Sequence, residues 1–148
     1  IKLTVLRCRS KRQLIQGVEV QTIRVLRSDR AYVKVFRDRM TLESLEVGGR
    51  PYEVLPVQPF TTRRLLVGLF DVAEHCLQKG LKRLGKNEWL KPGPQLIVQP
   101  MEMEDGGLSQ VEERVIMEMA YGAGAKRVLL WVGGGLSRHE ALNKLVAL

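Results

Sequence analysis

The pattern of apolar and polar positions divides the chain near Thr61. Before it, apolar residues recur at every second position, the period of a strand with one buried face. Residues 1–7 alternate strictly, with Ile1, Leu3 and Val5 on one side. Leu14, Ile15, Val18 and Val20 continue the pattern around Gly17, and Ile23 and Val25 follow. A turn is expected at Ser28-Asp29, a strand over Tyr32–Phe36, a turn at Arg37-Asp38-Arg39 and a strand over Leu42–Val47. Gly48-Gly49 is a hairpin signal, because glycine tolerates positive φ. Tyr52–Val57 completes the strand-rich part, which Pro56 and Pro59 end. Strands this closely spaced predict antiparallel neighbours.

Beyond Thr61 the period becomes helical. Leu65, Leu66, Leu69, Phe70, Ala73, Cys76, Leu77, Leu81 and Leu84 share one wide stripe, opposite Arg63, Arg64, Glu74, Gln78, Lys82 and Arg83. One helix is predicted, capped by Thr61 or Thr62 and closed by Gly85. Residues 86–94 read as a loop anchored by Trp89, and Leu96–Val98 as a short buried strand stopped by Pro100. Ser109 and Glu112 then form a capping box. The helix they open carries Val111, Val115 and Met119 on its apolar stripe, widened by Ile116 and Ala120, and Gly122 and Gly124 close it. Val128–Val132 is an uninterrupted apolar run, as expected of a strand covered on both faces. Gly133-Gly134-Gly135 ends that strand. Ser137 and Glu140 repeat the capping box before a last helix supported by Leu136, Leu142, Leu145 and Val146. Strands alternating with helices require parallel crossovers. The expected fold is therefore α/β in a single domain, residues 1–148. Its mixed sheet is antiparallel in the first half and parallel in the second, with helices packed on it.

Composition narrows the function classes. A chain of 148 residues with 45% apolar and 27% charged residues reads as globular rather than disordered. No apolar run approaches the ~20 residues a membrane span needs, and no secretory leader pattern opens the chain, so a cytoplasmic setting is expected. The net charge is +8, with much of the excess in residues 1–64. Such an excess suits an anionic partner, nucleic acid or an acidic membrane surface, or else a solvated basic face. The arginines alternate with apolar residues, as on the wet side of a sheet, and 5% aromatic residues leave little to stack on bases. Cys8 and Cys76 have no partner at metal-ligand spacing and are expected to be small core residues.

Candidate chemistry is sparse. His75 lies beside Cys76 on the long helix and reads as a structural or exposed residue. Glu102, Glu104 and Asp105 could gather around a divalent cation, but their spacing fits no calcium loop, so a solvated loop is expected and no metal site. Ser109 and Ser137 are explained as caps, and His139 near Ser137 has no third partner. No catalytic residue and no cofactor emerge. The one phosphate-like feature is the glycine loop Gly133, Gly134 and Gly135 before a helix start, with Arg138 beside it. Free N–H groups there could bind an anion. The alternative is a tight turn at the carboxyl edge of the sheet, because the loop lacks the lysine and threonine of a P-loop.

Two stretches carry a family resemblance: PGPQLIVQP, and LSQVEERVIMEMAYGAGAKRVLLWV after it. Pro92, Pro94, Pro100, Gln110, Val111, Glu112, Arg114, Glu118, Ala120, Gly122, Ala123, Gly124, Ala125 and Val128 match the pattern of the MreB family of bacterial actin homologues, which determine rod shape. The chain resembles that family well over residues 90–132 and fairly over 56–90. Over residues 1–55 the similarity is one of strand order alone. The resemblance implies the ribonuclease H-like core of the actin superfamily, subdomain IA, with five or more strands. It also marks departures. The family's first strand leads into an Asp-Leu-Gly-Thr loop for magnesium and phosphate, whereas the first hairpin region here reads Leu6-Arg7-Cys8-Arg9-Ser10. Trp131, Val132 and Gly133 stand where the family has its catalytic glutamate. The chain also stops before the second lobe that completes a nucleotide site, as a degenerate relative or one lobe of a longer protein would. The resemblance thus implies a non-catalytic module of cell-shape machinery that binds a protein partner or self-assembles.

Overall fold

Five strands and three helices are present in the computed structural model, which describes residues 28–85, 92–102 and 106–148. The strands expected within residues 1–27, Cys8, Trp89, Glu104 and Asp105 lie outside the described residues. The strands are β1 (Arg30–Phe36), β2 (Arg39–Ser44), β3 (Tyr52–Val54), β4 (Gln95–Pro100) and β5 (Arg127–Leu130). The helices are α1 (Phe70–Leu84), α2 (Gln110–Gly122) and α3 (Arg138–Val146). The sheet order is β3-β2-β1-β4-β5. β1–β2 and β2–β3 pair antiparallel, β1–β4 and β4–β5 parallel, so the expected mixed sheet is observed.

Helices cover both faces, and the strand alternation sorts side chains between them. Ala31, Val33, Val35, Met40, Leu42, Leu96, Val98 and Val128 join the larger core, to which α1 adds Ala73, Cys76 and Leu77 and α2 adds Ile116, Met119 and Ala120. Tyr32, Ile97 and Leu45 join a smaller one under Ala141 and Leu145 of α3. A central parallel strand between two such layers is apolar over most of its length. β4 accordingly buries Leu96 through Pro100. Its Pro100 offers no N–H, and Met101 N–H, 2.9 Å from the Val35 carbonyl, continues the ladder instead.

The long helix begins seven or eight residues later than the periodicity predicts. Its N-cap is Leu69, with no side-chain cap. Thr61 and Thr62 are engaged elsewhere. Thr61 N–H donates to Asp38 Oδ1 at 2.8 Å, and its hydroxyl donates to the Leu66 carbonyl at 2.8 Å. The N–H groups of Gly68 and Leu69 both reach the Phe60 carbonyl, at 2.9 and 2.8 Å. Residues 60–69 therefore close on themselves as a compact turn, with Phe60 and Leu66 buried while Leu65 and Leu69 face solvent.

Other differences are at strand ends. β2 stops at Ser44 and β3 at Val54, which leaves Val47, Leu55 and Val57 exposed. β5 is an edge strand that ends at Leu130, so Trp131 and Val132 lie beyond it. Both predicted capping boxes are formed, at Ser109/Glu112 and Ser137/Glu140. The C-cap of α2 is Ala123, with Gly122 still helical and Gly124 at φ 108. Val111 of the predicted apolar stripe is exposed.

Candidate functional site at the carboxyl edge of the sheet

The three parallel strands β1, β4 and β5 end on one edge, and β1 and β4 part there towards opposite sides of the sheet. In open α/β sheets ligands collect outside such carboxyl ends, at the point where strand order reverses. Four segments meet there: the β1–β2 turn, the 60–69 turn, Met101-Glu102 after β4, and Trp131–Gly135 after β5.

The β1–β2 turn is Arg37-Asp38; the hairpin region expected at residues 6–10 lies outside the described residues. Asp38 adopts φ 53, an αL conformation that Asp tolerates. Its carboxylate accepts from Thr61 N–H, and its own N–H donates to Thr61 Oγ1 at 3.2 Å. Arg37 Nε lies 3.4 Å from Glu102 Oε2 across the β1–β4 boundary. Both side chains are substantially exposed, so this pair contributes at most about 1 kcal/mol.

The glycine loop is held by its carbonyls. Gln99, buried on β4, donates from Nε2 to the carbonyls of Gly133 at 2.6 Å and Gly134 at 3.4 Å. Trp131 Nε1 donates to the same Gly134 carbonyl at 2.8 Å. Gly133 has φ 148, and a Cβ there would stand 3.4 Å from the Trp131 ring. On the other side of Gln99, the Tyr32 hydroxyl donates to Oε1 and accepts from Leu136 N–H at 3.2 Å. Burial raises the Tyr32 pKa above its ordinary value, against the Leu136 N–H, which favours the phenolate, and with Glu43, which disfavours it. Tyr32 and Gln99 thus form a buried pair that reaches out to the exposed glycine loop, and each named polar group has a partner.

The first turn of α3 is occupied by its own cap. Ser137 N–H donates to Glu140 Oε2 at 2.8 Å, and Glu140 N–H donates back to Ser137 Oγ at 3.3 Å. The Ser137 hydroxyl, which donates to Glu140 Oε2 at 2.7 Å, and then the Ser137 N–H hold the Glu140 carboxyl below its ordinary pKa. Arg138 does not join the glycines. Its guanidinium donates to the carbonyls of Ser44, at 3.0 Å, and Gly49, and so ties α3 to the β2–β3 loop. Its buried Nε is 3.4 Å from Glu43 Oε1, within ion-pair range but not aligned as a hydrogen bond. Gly133 and Gly134 are thus brought together with Gln99 and Trp131, and Arg138 is directed instead to the carbonyls of Ser44 and Gly49. The sequence signal for Gln99 is faint: one amide inside the apolar run Leu96–Pro100.

The remaining candidates are placed as follows. His75 is exposed. Cys76 is buried, and burial pushes its thiol up to about 11, against a smaller opposing effect of Lys79. Such a thiol is protonated and unreactive at neutral pH. His139 Nδ1 lies 3.2 Å from Asn143 Nδ2 on the exposed side of α3. Among the described residues no three His, Cys, Asp or Glu side chains are grouped to hold a metal ion, and no helix is long and apolar enough to cross a membrane.

No protein-family model matches the chain. It is 36% identical over 97 residues to the uncharacterized protein YjaA of Escherichia coli, a match that covers 62% of this chain and 74% of YjaA. It is 32% identical over 107 residues to the cell shape-determining protein MreB of the same organism, covering 68% of this chain and 29% of MreB. The MreB of Haemophilus influenzae is 31% identical over 86 residues, covering 58% of this chain and 23% of that protein. The chain thus spans about three-quarters of one relative and under a third of the others.

Proposed function

Because the chain belongs to the YjaA family and is related over part of its length to MreB, we propose that it is a non-catalytic, cytoplasmic interaction or assembly module linked to rod-shape determination. The observation that carries this reading is the 32% identity to a cell shape-determining protein over 107 residues. The strand order β3-β2-β1-β4-β5, antiparallel and then parallel, supports a ribonuclease H-like core of the kind found in actin relatives, corresponding to their subdomain IA.

The carboxyl edge supports the non-catalytic reading. Phosphoryl transfer needs a phosphate cradle, a magnesium ligand and a group that orients water. Here the Asp38 carboxylate is bonded to Thr61, Glu102 is paired with Arg37, and the glycine loop directs carbonyls at Gln99. The full chain incubated with magnesium and ATP is expected to give no turnover, and its expression in a rod-shaped bacterium is expected to change cell width. Steady ATP hydrolysis by the purified chain would refute the non-catalytic reading, and unaltered cell dimensions would refute the link to shape.

A second reading, a basic module for nucleic acid or an acidic membrane, is favoured by the position of the charge. Residues 1–27 hold seven Lys and Arg and one Glu, so 7 − 1 gives +6 of the total +8. The described residues hold 15 basic and 12 acidic side chains, or +3, and several are paired, as in Arg30–Glu46 and Arg39–Glu53. A basic binding face would therefore belong to residues 1–27, and binding through it would weaken steeply with salt.

A further inference from the structure

The two edges of the sheet are built differently. β3 is three residues long, stands between Pro51 and Pro56, and carries Glu53, which Arg39 pairs at 3.0 Å. Short length, proline and charge keep an edge from recruiting another strand. β5 has none of these within Val128–Val132, an apolar run of the kind found on interior strands. Its strand neighbour is β4, and no other described segment bonds the backbone of Arg127–Leu130. Trp131 N–H, 2.9 Å from the Val98 carbonyl, carries the ladder one residue past Leu130.

Side-chain exposure shows that the outer side of β5 is open among the described residues. Leu129 and Leu130 are half-buried, although Ile97 and Val98, their register partners on β4 and on the same two faces, are fully buried. Val132 is 40% exposed. Val128 and Leu130 side with the larger core, Leu129 and Trp131 with the smaller. α3 packs on β1 and β4, and α2 on β4 as well as β5, so both helices lie inboard of this edge.

We propose that β5 pairs antiparallel with β5 of a second copy of this chain, about a two-fold axis at Leu129, and so joins two five-stranded sheets into one. The run is self-complementary about that residue. Leu129 meets the partner's Leu129. On the larger-core face Val128 meets the partner's Leu130, and on the other face Arg127 meets the partner's Trp131, a cation beside an indole. Centring on Arg127 instead sets two arginines face to face, and centring on Leu130 sets Arg127 against Gly133. A two-fold closes after two copies, so the edge is consumed and no fibre grows from it. The proposal rests on the assembly-module reading and gives it a surface and a partner.

The test uses the full chain. Sedimentation velocity over about 5–500 μM is expected to show a dimer that dissociates on dilution, as a small interface does. Leu129→Lys and Leu129→Glu each set like charges on the two-fold and are expected to weaken the dimer at least tenfold. An equimolar mixture of the two variants is expected to restore it, because opposite charges then meet. Leu129→Cys is a smaller, neutral change that keeps the test open if a charge at this half-buried position disturbs folding. Under copper phenanthroline it is expected to give a dimer whose peptide map joins the introduced thiols of two chains, since directly opposed residues stand about 5 Å apart between Cα atoms. A monomer at every concentration overturns the proposal. So does a dimer that neither charged variant weakens, or that mixing them fails to restore. An introduced thiol joined to Cys8 of its own chain overturns it by naming residues 1–27 as the occupant of the edge. A cell-width effect from a chain that stays monomeric removes the pairing and keeps the shape-linked reading. ATP turnover by a chain that dimerises in this way does the reverse, refuting the non-catalytic reading and leaving the pairing in place.

Discussion

Tyr32 and Gln99 show how much one buried polar pair can organise. They lie on neighbouring strands, β1 and β4, and face α3. The tyrosine hydroxyl bridges Gln99 Oε1 and Leu136 N–H, and the amide of Gln99 fixes the carbonyls of Gly133 and Gly134. Buried amides are tolerable when fully paired and costly when one partner is removed. Tyr32→Phe deletes two hydrogen bonds at once and leaves an acceptor and a donor without their protein partner. We expect a loss of about 1–3 kcal/mol in urea denaturation. Combined with Gln99→Met the two losses should be less than additive, with a coupling of order 1 kcal/mol. Strict additivity would mean that the two side chains act independently and that the loop is held by Trp131 alone.

At the scale of elements, what was legible in the sequence was what is decided locally. The capping boxes of α2 and α3 are formed as read, because Ser109 and Glu112, or Ser137 and Glu140, need only each other and the first turn of their own helix. Alternation likewise placed β1, and the apolar run Leu96–Val98 marked β4, whereas β2 starts at Arg39, three residues before the expected Leu42. The start of α1 was not legible. Leu65, Leu66 and Leu69 fit the helical stripe, but Asp38, distant in sequence, takes the Thr61 N–H, and the Phe60 carbonyl takes two N–H groups that a helix would have turned elsewhere. The Tyr32–Gln99 pair was hidden for the same reason, since no spacing rule connects residues on different strands. Gly80 is a further case. It sits in mid-helix, where glycine is unfavourable by about 1 kcal/mol. The reason is packing: a Cβ there would come within 2.9 Å of Leu42 Cδ2 and 3.2 Å of Val54 Cγ2. Its carbonyl also accepts from the Tyr52 hydroxyl at 2.8 Å. Gly80→Leu should therefore overpack the α1–sheet contact and destabilise by about 1–3 kcal/mol, read as a lower thermal midpoint. An unchanged or raised midpoint would show that helix propensity outweighs the close approach.

At the scale of the whole molecule, the two faces of the sheet are unequally covered. α1 and α2 share one continuous core with each other and with β1–β5. α3 reaches only the smaller cluster through Ala141 and Leu145, while Val146 is exposed. What α3 lacks in burial it partly recovers through Arg138, whose guanidinium bonds the Ser44 and Gly49 carbonyls at the opposite end of the sheet from the glycine loop. Local stability follows buried apolar contact, so α3 should open before the sheet does. Native-state hydrogen exchange is expected to give the amides of Ala141–Leu145 a lower opening free energy than those of Val33 and Val98. Arg138→Ala should lower protection in α3 and at Gly49 together and leave Val98 unchanged, because the guanidinium is the bond between those two segments. Equal protection of α3 and β4 would mean that both faces unfold as one unit. Loss at α3 without loss at Gly49 would mean that the loop is held by its own Gly49–Glu46 hydrogen bond of 3.1 Å. The network at Tyr32 and the clamp at Arg138 thus fasten the same helix at its two neighbours, one across the sheet's carboxyl edge and one at the β2–β3 loop.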